Sequence, residues 1–302
     1  IVSCVNLART KFQKKCSNDS NDSQENRPTH FLRVASFFSH RDLDAILDSY
    51  EAGKPFYLYT GRGPSSDSMH LGHLIPFLFT KYLQETFGCP LVIQMTDDEK
   101  YLWKDLSLEK LQETLIANVK DIIACGFDRE KTFIFSNFNY MGGKFYENVV
   151  TIQKRMTGNQ AMNALGLSTL DNIGKFSFSA IQAAPSFSSS FPHIFGPNSD
   201  YHCLIPCAID QDVYFRLTRG IADRLQLKKP AVVHSRFFPG IDGGGKMSSS
   251  ILQEKTVFLT DTAKMIKDKV NKYAFSGARG KGDKHDTELY GVDLAKDIPY
   301  QY

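Results

Sequence analysis

Residues 55–88 constrain the fold more than any other stretch of the chain. Pro55-Phe-Tyr-Leu-Tyr59 is a short apolar and aromatic run with the character of a buried strand. Gly61, Gly63 and Pro64 break it, because glycine tolerates turn geometries and proline lacks a backbone donor. An amphipathic helical pattern then runs from Met69 to Gly88, a residue suited to the C′ position. Strand, glycine-rich turn and helix start follow one another, with His70-Leu-Gly-His73 at the helix opening. A helix start offers unpaired N–H groups and a positive dipole end, so it holds phosphate well. Imidazoles there can donate to phosphoryl oxygens, and Gly72 lets a flat base approach the backbone. Taken alone, His70 and His73 are more simply two surface histidines on an ordinary helix.

The unit is continued by similar ones. Pro90–Met95, Thr132–Phe135, Cys203–Ile209 and Ala231–His234 are apolar runs of strand length. Between them lie helical patterns, the clearest being Leu108 to Ile123, which stops at Gly126. Ahead of the first strand, Leu43, Ile46, Leu47 and Tyr50 form one apolar helical face ended by Gly53, and Ser39 with Asp42 resembles a capping box. Strands alternating with helices imply an α/β fold with a doubly wound, Rossmann-type parallel sheet. Ligands in such sheets bind at the carboxyl ends of strands, where Tyr59 and Gln94 fall. Residues 176–206 show no clean period, and 17–28 read as a flexible polar lead-in.

Composition excludes several classes. A chain of 302 residues with 42% apolar content is ordinary for a globular protein of more than one folding unit. Net charge of +3 is too small to imply a nucleic-acid partner, so any basic surface is local. The six cysteines show no C-x-x-C spacing, which argues against zinc or a disulfide framework and for a reducing cytosol. No apolar run approaches the roughly 18 residues of a membrane span, and no secretion signal is evident.

A second motif changes the weight of the first. Lys246-Met-Ser-Ser-Ser250 follows Gly243-Gly-Gly245. His-x-Gly-His early and Lys-Met-Ser-x-Ser late are together the signatures of class I aminoacyl-tRNA synthetases. With Tyr57–Ser66, Val92–Lys100, Ala180–Phe187 and Ala208–Gln211 added, the chain from about His30 to Tyr302 resembles the tryptophanyl-tRNA synthetases of the eukaryotic cytosolic type. The resemblance implies joining of L-tryptophan to ATP, release of pyrophosphate and transfer to tRNA(Trp). It also implies ATP with Mg²⁺, a homodimer and a cytoplasmic location.

By that resemblance His70, His73, Lys246, Ser248 and Ser249 are the catalytic residues. Tyr59 and Gln94 recognise the indole N–H, while Glu99, Gln182 and Gln211 meet the ammonium group. Arg62, Lys100 and Lys246 serve the triphosphate, and Asp210 the ribose. Thr60, Gly63, Gly72, Met247, Ser248 and Gln182 complete the ATP site with the two histidines. A tyrosine hydroxyl and an amide oxygen can each accept from an indole, which offers only a donor.

Other readings remain open beside these. Thr96-x-x-Glu99 is itself a capping box, and Asp97 with Asp98 suggests a metal pair only weakly. Gly240 to Lys246 matches a P-loop until Met247, where a Ser or Thr should ligate Mg²⁺. A tyrosine enzyme would want a carboxylate where the uncharged Gln94 stands, and a non-catalytic relative should have lost a signature residue. Lys264, Lys267, Lys269 and Lys272 form either a phosphate-attracting row or a solvated face.

The expected division is a flexible lead-in over 1–29, the catalytic domain over 30–250, and the beginning of an all-α anticodon-binding domain over 251–302. The family's N-terminal hairpin is not found in residues 1–29, and its helical region continues past the segment matching Ile298–Tyr302. Measurable activation of tryptophan, with tRNA charging greatly reduced relative to a chain extended beyond Tyr302, is therefore the expectation.

Overall fold

The structure, a computed structural model, describes residues 30–247, 253–278 and 288–302. Ser248 and Ser249 lie outside the described residues, as does the 1–29 lead-in. Six strands form one sheet: β1 Phe37–Arg41, β2 Phe56–Arg62, β3 Leu91–Met95, β4 Thr132–Ser136, β5 His202–Ala208 and β6 Ala231–Ser235. Their order is β1-β6-β5-β2-β3-β4, parallel throughout except that β1 runs antiparallel to β6.

The main helices are α1 Leu43–Glu51, α2 Leu71–Phe87, α3 Asp97–Trp103, α4 Leu108–Ala124, α5 Gly143–Gln153, α6 Gly158–Leu165, α7 Ile173–Ala183, α8 Asp212–Leu225 and α9 Ala263–Tyr273. They cover both faces of the sheet, and the period of two along β2 divides its side chains between them. Phe56 and Leu58 join a core with Ile46, Phe79, Leu83 and Leu115. Tyr57 and Tyr59 point the other way, into a core with Phe145, Val149, Ala180 and Phe215. Each wholly buried side chain of this size contributes roughly 1.5–3 kcal/mol. Both faces of β2 are thus apolar, which is why its sequence reads as a continuous run rather than an alternation.

Several local expectations need correction. The sheet is mixed, not wholly parallel, because its edge is β1, a half-exposed strand with too few apolar residues to announce itself. Ser39 lies in that strand and contacts His234 Nδ1 at 3.0 Å, so it caps nothing. The N-cap of α1 is Asp42, in left-handed conformation and without a side-chain cap bond. Thr96 does not form a capping box either: its hydroxyl donates to Glu99 Oε2 at 2.7 Å and accepts no backbone N–H. The region without clean period contains α7, capped by Asn172, which accepts from the Lys175 N–H. Its period is hidden because apolar and small residues occupy both its buried positions, such as Phe178 and Ala183, and its open ones, such as the exposed Ile173.

The order of strands changes direction at β2, whose sequence neighbour β3 lies on one side and β5 on the other. A crevice opens outside the carboxyl ends of strands at such a switch point.

Candidate functional site

One cleft of about 500 Å³ opens at that switch point. Of the residues singled out from sequence, Tyr59, Thr60, Arg62, Gly63, His70, Gly72, His73, Glu99, Lys100, Gln182, Asp210, Gln211, Lys246 and Met247 line it. Gln94 is the exception among the described ones. It is wholly buried behind Tyr59 and is not part of the wall.

The polar wall is built on the start of α2. His70 is its N-cap, in extended conformation, and the His70 and His73 rings stack with centroids 3.5 Å apart. Pro76 inside the helix has no N–H to give the Gly72 carbonyl, so the first turn is loosened where it meets the cleft. From far down the chain the segment after the glycine loop returns to brace this turn. The Leu71 N–H donates to Val257 C=O at 3.2 Å and the Leu259 N–H to Met69 C=O at 2.9 Å. A Cβ on Gly72 would lie 3.2 Å from the His70 ring and 3.6 Å from Met247 Cβ, so the two signature motifs meet at this glycine.

Arg62, at the end of β2, is 8% exposed. Its Nε donates to Asn118 Oδ1 at 2.9 Å and its Nη1 lies 2.8 Å from His73 Nε2. No carboxylate pairs with it among the described residues, and burial lowers its guanidinium only to about 10, so it stays charged. A guanidinium can only donate, so His73 Nε2 accepts and the neutral ring carries its proton on Nδ1. The 3.5 Å approach of the His70 N–H to His73 Nδ1 then brings two donors together, both suited to an anionic oxygen. Burial, followed by the Arg62 charge, holds His73 far below its usual range and lowers His70 to about 4. Both imidazoles are therefore neutral donors near pH 7.

Three buried polar atoms on this wall have no partner among the described residues: Arg62 Nη2, His70 Nδ1 and Asp210 Oδ1. An unpaired buried polar atom costs about 1–3 kcal/mol, a cost that a ligand would relieve. Four other charged groups of the cleft form two ion pairs, while Lys104 and Arg236 also line it outside those pairs. Lys100 Nζ lies 2.7 Å from Glu99 Oε1, and Lys246 Nζ lies 2.6 Å from Asp210 Oδ2.

The other end of the cleft is apolar. Trp103, Phe178, Ile205, Cys207 and Phe215 line it, none of them singled out from sequence. Their one legible signal was the position of Ile205 to Ala208 at the end of an apolar strand beside β2. Tyr59 closes this end. Its hydroxyl donates to Gln94 Oε1 at 2.6 Å, with the Gln182 carbonyl 3.0 Å away as an alternative acceptor. Because the phenolic proton is taken on the protein side, the oxygen presents lone pairs to the cleft. Gln182 Nε2 donates to Gln211 Oε1 at 3.2 Å, joining α7 to the corner after β5.

Some expected features serve the frame instead. Asp97 accepts from the Ser136 hydroxyl, and Asp98 accepts from Asn137 Nδ2 at 2.6 Å, so this pair holds the end of β4 rather than a metal. The would-be P-loop closes on itself, the Gly240 N–H donating to Gly245 C=O at 2.8 Å. On α9, Lys269 pairs with Asp261 at 2.6 Å and Lys272 lies 3.7 Å from Glu254, so half of the lysine row is engaged.

Residues 51–295 match the family of class I tRNA synthetases for W and Y. The chain is 55% identical over 300 residues to the cytoplasmic tryptophan–tRNA ligase of Homo sapiens, covering 99% of this chain and 63% of that protein. It is 57% identical over 277 residues to the cytoplasmic enzyme of Arabidopsis thaliana, covering 91% of this chain and 68% of that one. Its structure is similar, with TM-score 0.82 and 37% identity, to a tryptophanyl-tRNA synthetase from Encephalitozoon cuniculi bound to tryptophan, covering 98% and 77% of the two chains. The chain thus spans about 63% of the length of the mammalian relatives it matches.

Proposed function

The chain belongs to the class I tRNA synthetases of the tryptophan and tyrosine group, and from that premise we propose that it joins L-tryptophan to ATP and passes the acyl group to tRNA(Trp). The observation that carries the proposal is a single cleft with two unlike ends. One end has a buried, uncompensated Arg62 beside neutral histidine donors at a helix start; the other is apolar and closed by an oriented Tyr59 hydroxyl. A triphosphate suits the first and an indole the second.

In this reaction the tryptophan carboxylate attacks the α-phosphorus in line and pyrophosphate leaves, so no protein nucleophile is required. Catalysis is positioning and charge stabilisation. Glu99 receives the ammonium group, helped by Gln182 and Gln211, which are already joined. Asp210 Oδ1 receives a ribose hydroxyl. Arriving substrates exchange with the internal pairs: the ammonium displaces Lys100 from Glu99, and phosphate displaces Lys246 from Asp210. Thr60, Gly63, Gly72 and Met247 shape the nucleotide end, with Ser248 and Ser249 assigned there by motif. Mg²⁺ belongs to the triphosphate; no cluster of three His, Cys, Asp or Glu side chains is present among the described residues to hold it.

The division into a catalytic unit over 30–250 and a helical region from 251 is part of the same proposal, supported by α9. A cytosolic location, supported by relatives named cytoplasmic, and the homodimer implied by the sequence resemblance belong to the same proposal. No helix among the described residues is long and apolar enough to cross a membrane.

Pyrophosphate exchange with each standard amino acid tests the assignment. Exchange stimulated by tryptophan alone is expected. Stimulation by tyrosine, with none by tryptophan, overturns it.

A further inference from the structure

Gln94 and Tyr59 do not stand alone at the closed end of the cleft. Gln94 Nε2 donates to Asn137 Oδ1 at 2.9 Å and to the Ile181 carbonyl at 3.2 Å. Asn137 Nδ2 donates in turn to Asp98 Oδ1 at 2.6 Å, an oxygen that also accepts the Glu99 N–H at 2.8 Å. Gln94 and Asn137 are fully buried, at 0% and 1% exposure. The chain of contacts runs across the ends of two adjacent strands, since Gln94 and Met95 of β3 pair with Phe135 and Ser136 of β4. Neither Asp98 nor Asn137 lines the cleft.

Resting on the tryptophan pocket proposed above, we infer that Asp98 and Asn137 are positioning residues for amino-acid recognition, acting through Gln94 and Tyr59 without touching the substrate. A carboxamide has no intrinsic preference for which end is oxygen, and its sense is set by its partners. An ionised carboxylate can only accept, so Asn137 must turn Nδ2 toward Asp98 and Oδ1 toward Gln94. Gln94 must then turn Nε2 toward Asn137 and Oε1 toward Tyr59. The phenolic proton is drawn to that oxygen, and the lone pairs of the hydroxyl face the cleft, where an indole N–H needs an acceptor.

A flipped Gln94 would set its oxygen against the Ile181 carbonyl and give an N–H to Tyr59, leaving the phenolic proton to choose between the Gln182 carbonyl and the cleft, where it opposes the indole N–H. Asp98, through Asn137, thus reinforces with the Ile181 carbonyl the sense of Gln94 that keeps the Tyr59 proton off the cleft. Its place in the first turn of α3 favours the charged form. Burial acts against this and raises its carboxyl to about 6, which still leaves it mostly ionised near pH 7.

The test compares tryptophan with its analogue in which the ring N–H is replaced by sulfur, using pyrophosphate exchange. In Asn137→Ala, kcat/KM for tryptophan should fall about tenfold, mainly through KM, with under about twofold change for the sulfur analogue. Asp98→Asn, nearly isosteric and so the safer variant for folding, should show a loss of about threefold in the same direction. Equal losses for both substrates would indicate a merely structural role and overturn the relay, as would an unchanged Asp98→Asn enzyme. A wild-type chain that does not use tryptophan, or uses the sulfur analogue equally well, fails at the pocket itself, a result recognisable before any variant is made.

Discussion

Lys246 Nζ lies 2.6 Å from Asp210 Oδ2, pairing the lysine of the glycine loop with the carboxylate that follows β5. The same ammonium sits 4.6 Å from the centre of the Phe237 ring. With the two side chains 51% and 36% exposed, the ion pair contributes little and is readily exchanged for phosphate. Lys246→Ala should therefore lower adenylate formation about 10²-fold, because the charge acts where negative charge develops. Single-turnover kinetics would show the loss, and equilibrium dialysis should show tryptophan Kd nearly unchanged. An unaffected rate would reduce Lys246 to a solvated side chain.

Tyr59→Phe removes the acceptor at the closed end and leaves Gln94 Oε1 without its donor. The expected cost in tryptophan binding is about 1–3 kcal/mol, the usual price of an unpaired buried group. Part of it should appear as a lower Tm in the empty protein. Tryptophan Kd equal to wild type would place the indole elsewhere.

Gly63 faces the Glu99–Lys100 pair at close range. A Cβ there would lie 2.2 Å from Lys100 Cε and 2.8 Å from Glu99 Oε2. The lysine end can move but the carboxylate must shift with it, so Gly63→Ala should fold normally while losing at least about tenfold in kcat/KM. Wild-type kinetics in a folded variant would remove Glu99 and Lys100 from the substrate-binding groups.

The histidine pair should make stability depend on pH. His70 falls from an ordinary value near 6.5 to about 4, and His73 lies lower still, because burial disfavours the imidazolium. A depressed histidine contributes stability that is fully present above the unfolded pKa and is lost as pH falls through the folded one. Asp98 acts in the opposite sense: raised to about 6, its contribution is present below its unfolded value near 3.8 and lost as pH rises through 6. With two histidines against one carboxyl, urea unfolding free energy should rise between about pH 4 and 6.5. His70→Asn should show a shallower rise, and an identical slope would mean that this imidazole is charged in the folded protein.

Local physics alone determined the strand–turn–helix unit over 55–88, the strands with apolar runs, and both signature motifs. These depend on residue type and short spacing, as when Gly88 takes the left-handed C-cap at φ 61°. Edge strand β1 escaped because a strand covered on one side only needs few apolar residues. The helix α7 escaped because apolar and small residues stand at its exposed positions as well as its buried ones, which blurs the periodicity that marks a helix. The motif-borne residues of the cleft were legible as types, but not its apolar end and not the pairings. Only the folded chain brings Val257 and Leu259 back onto the His70 turn, sets Lys246 against Asp210, and puts Asn137 between Asp98 and Gln94. Those contacts join residues far apart in sequence, and no local pattern encodes which carboxylate will meet which amide. The sequence therefore determined which chemical groups gather at the strand ends. The tertiary structure decided which way each one points, because donor and acceptor directions are set by partners that only packing supplies.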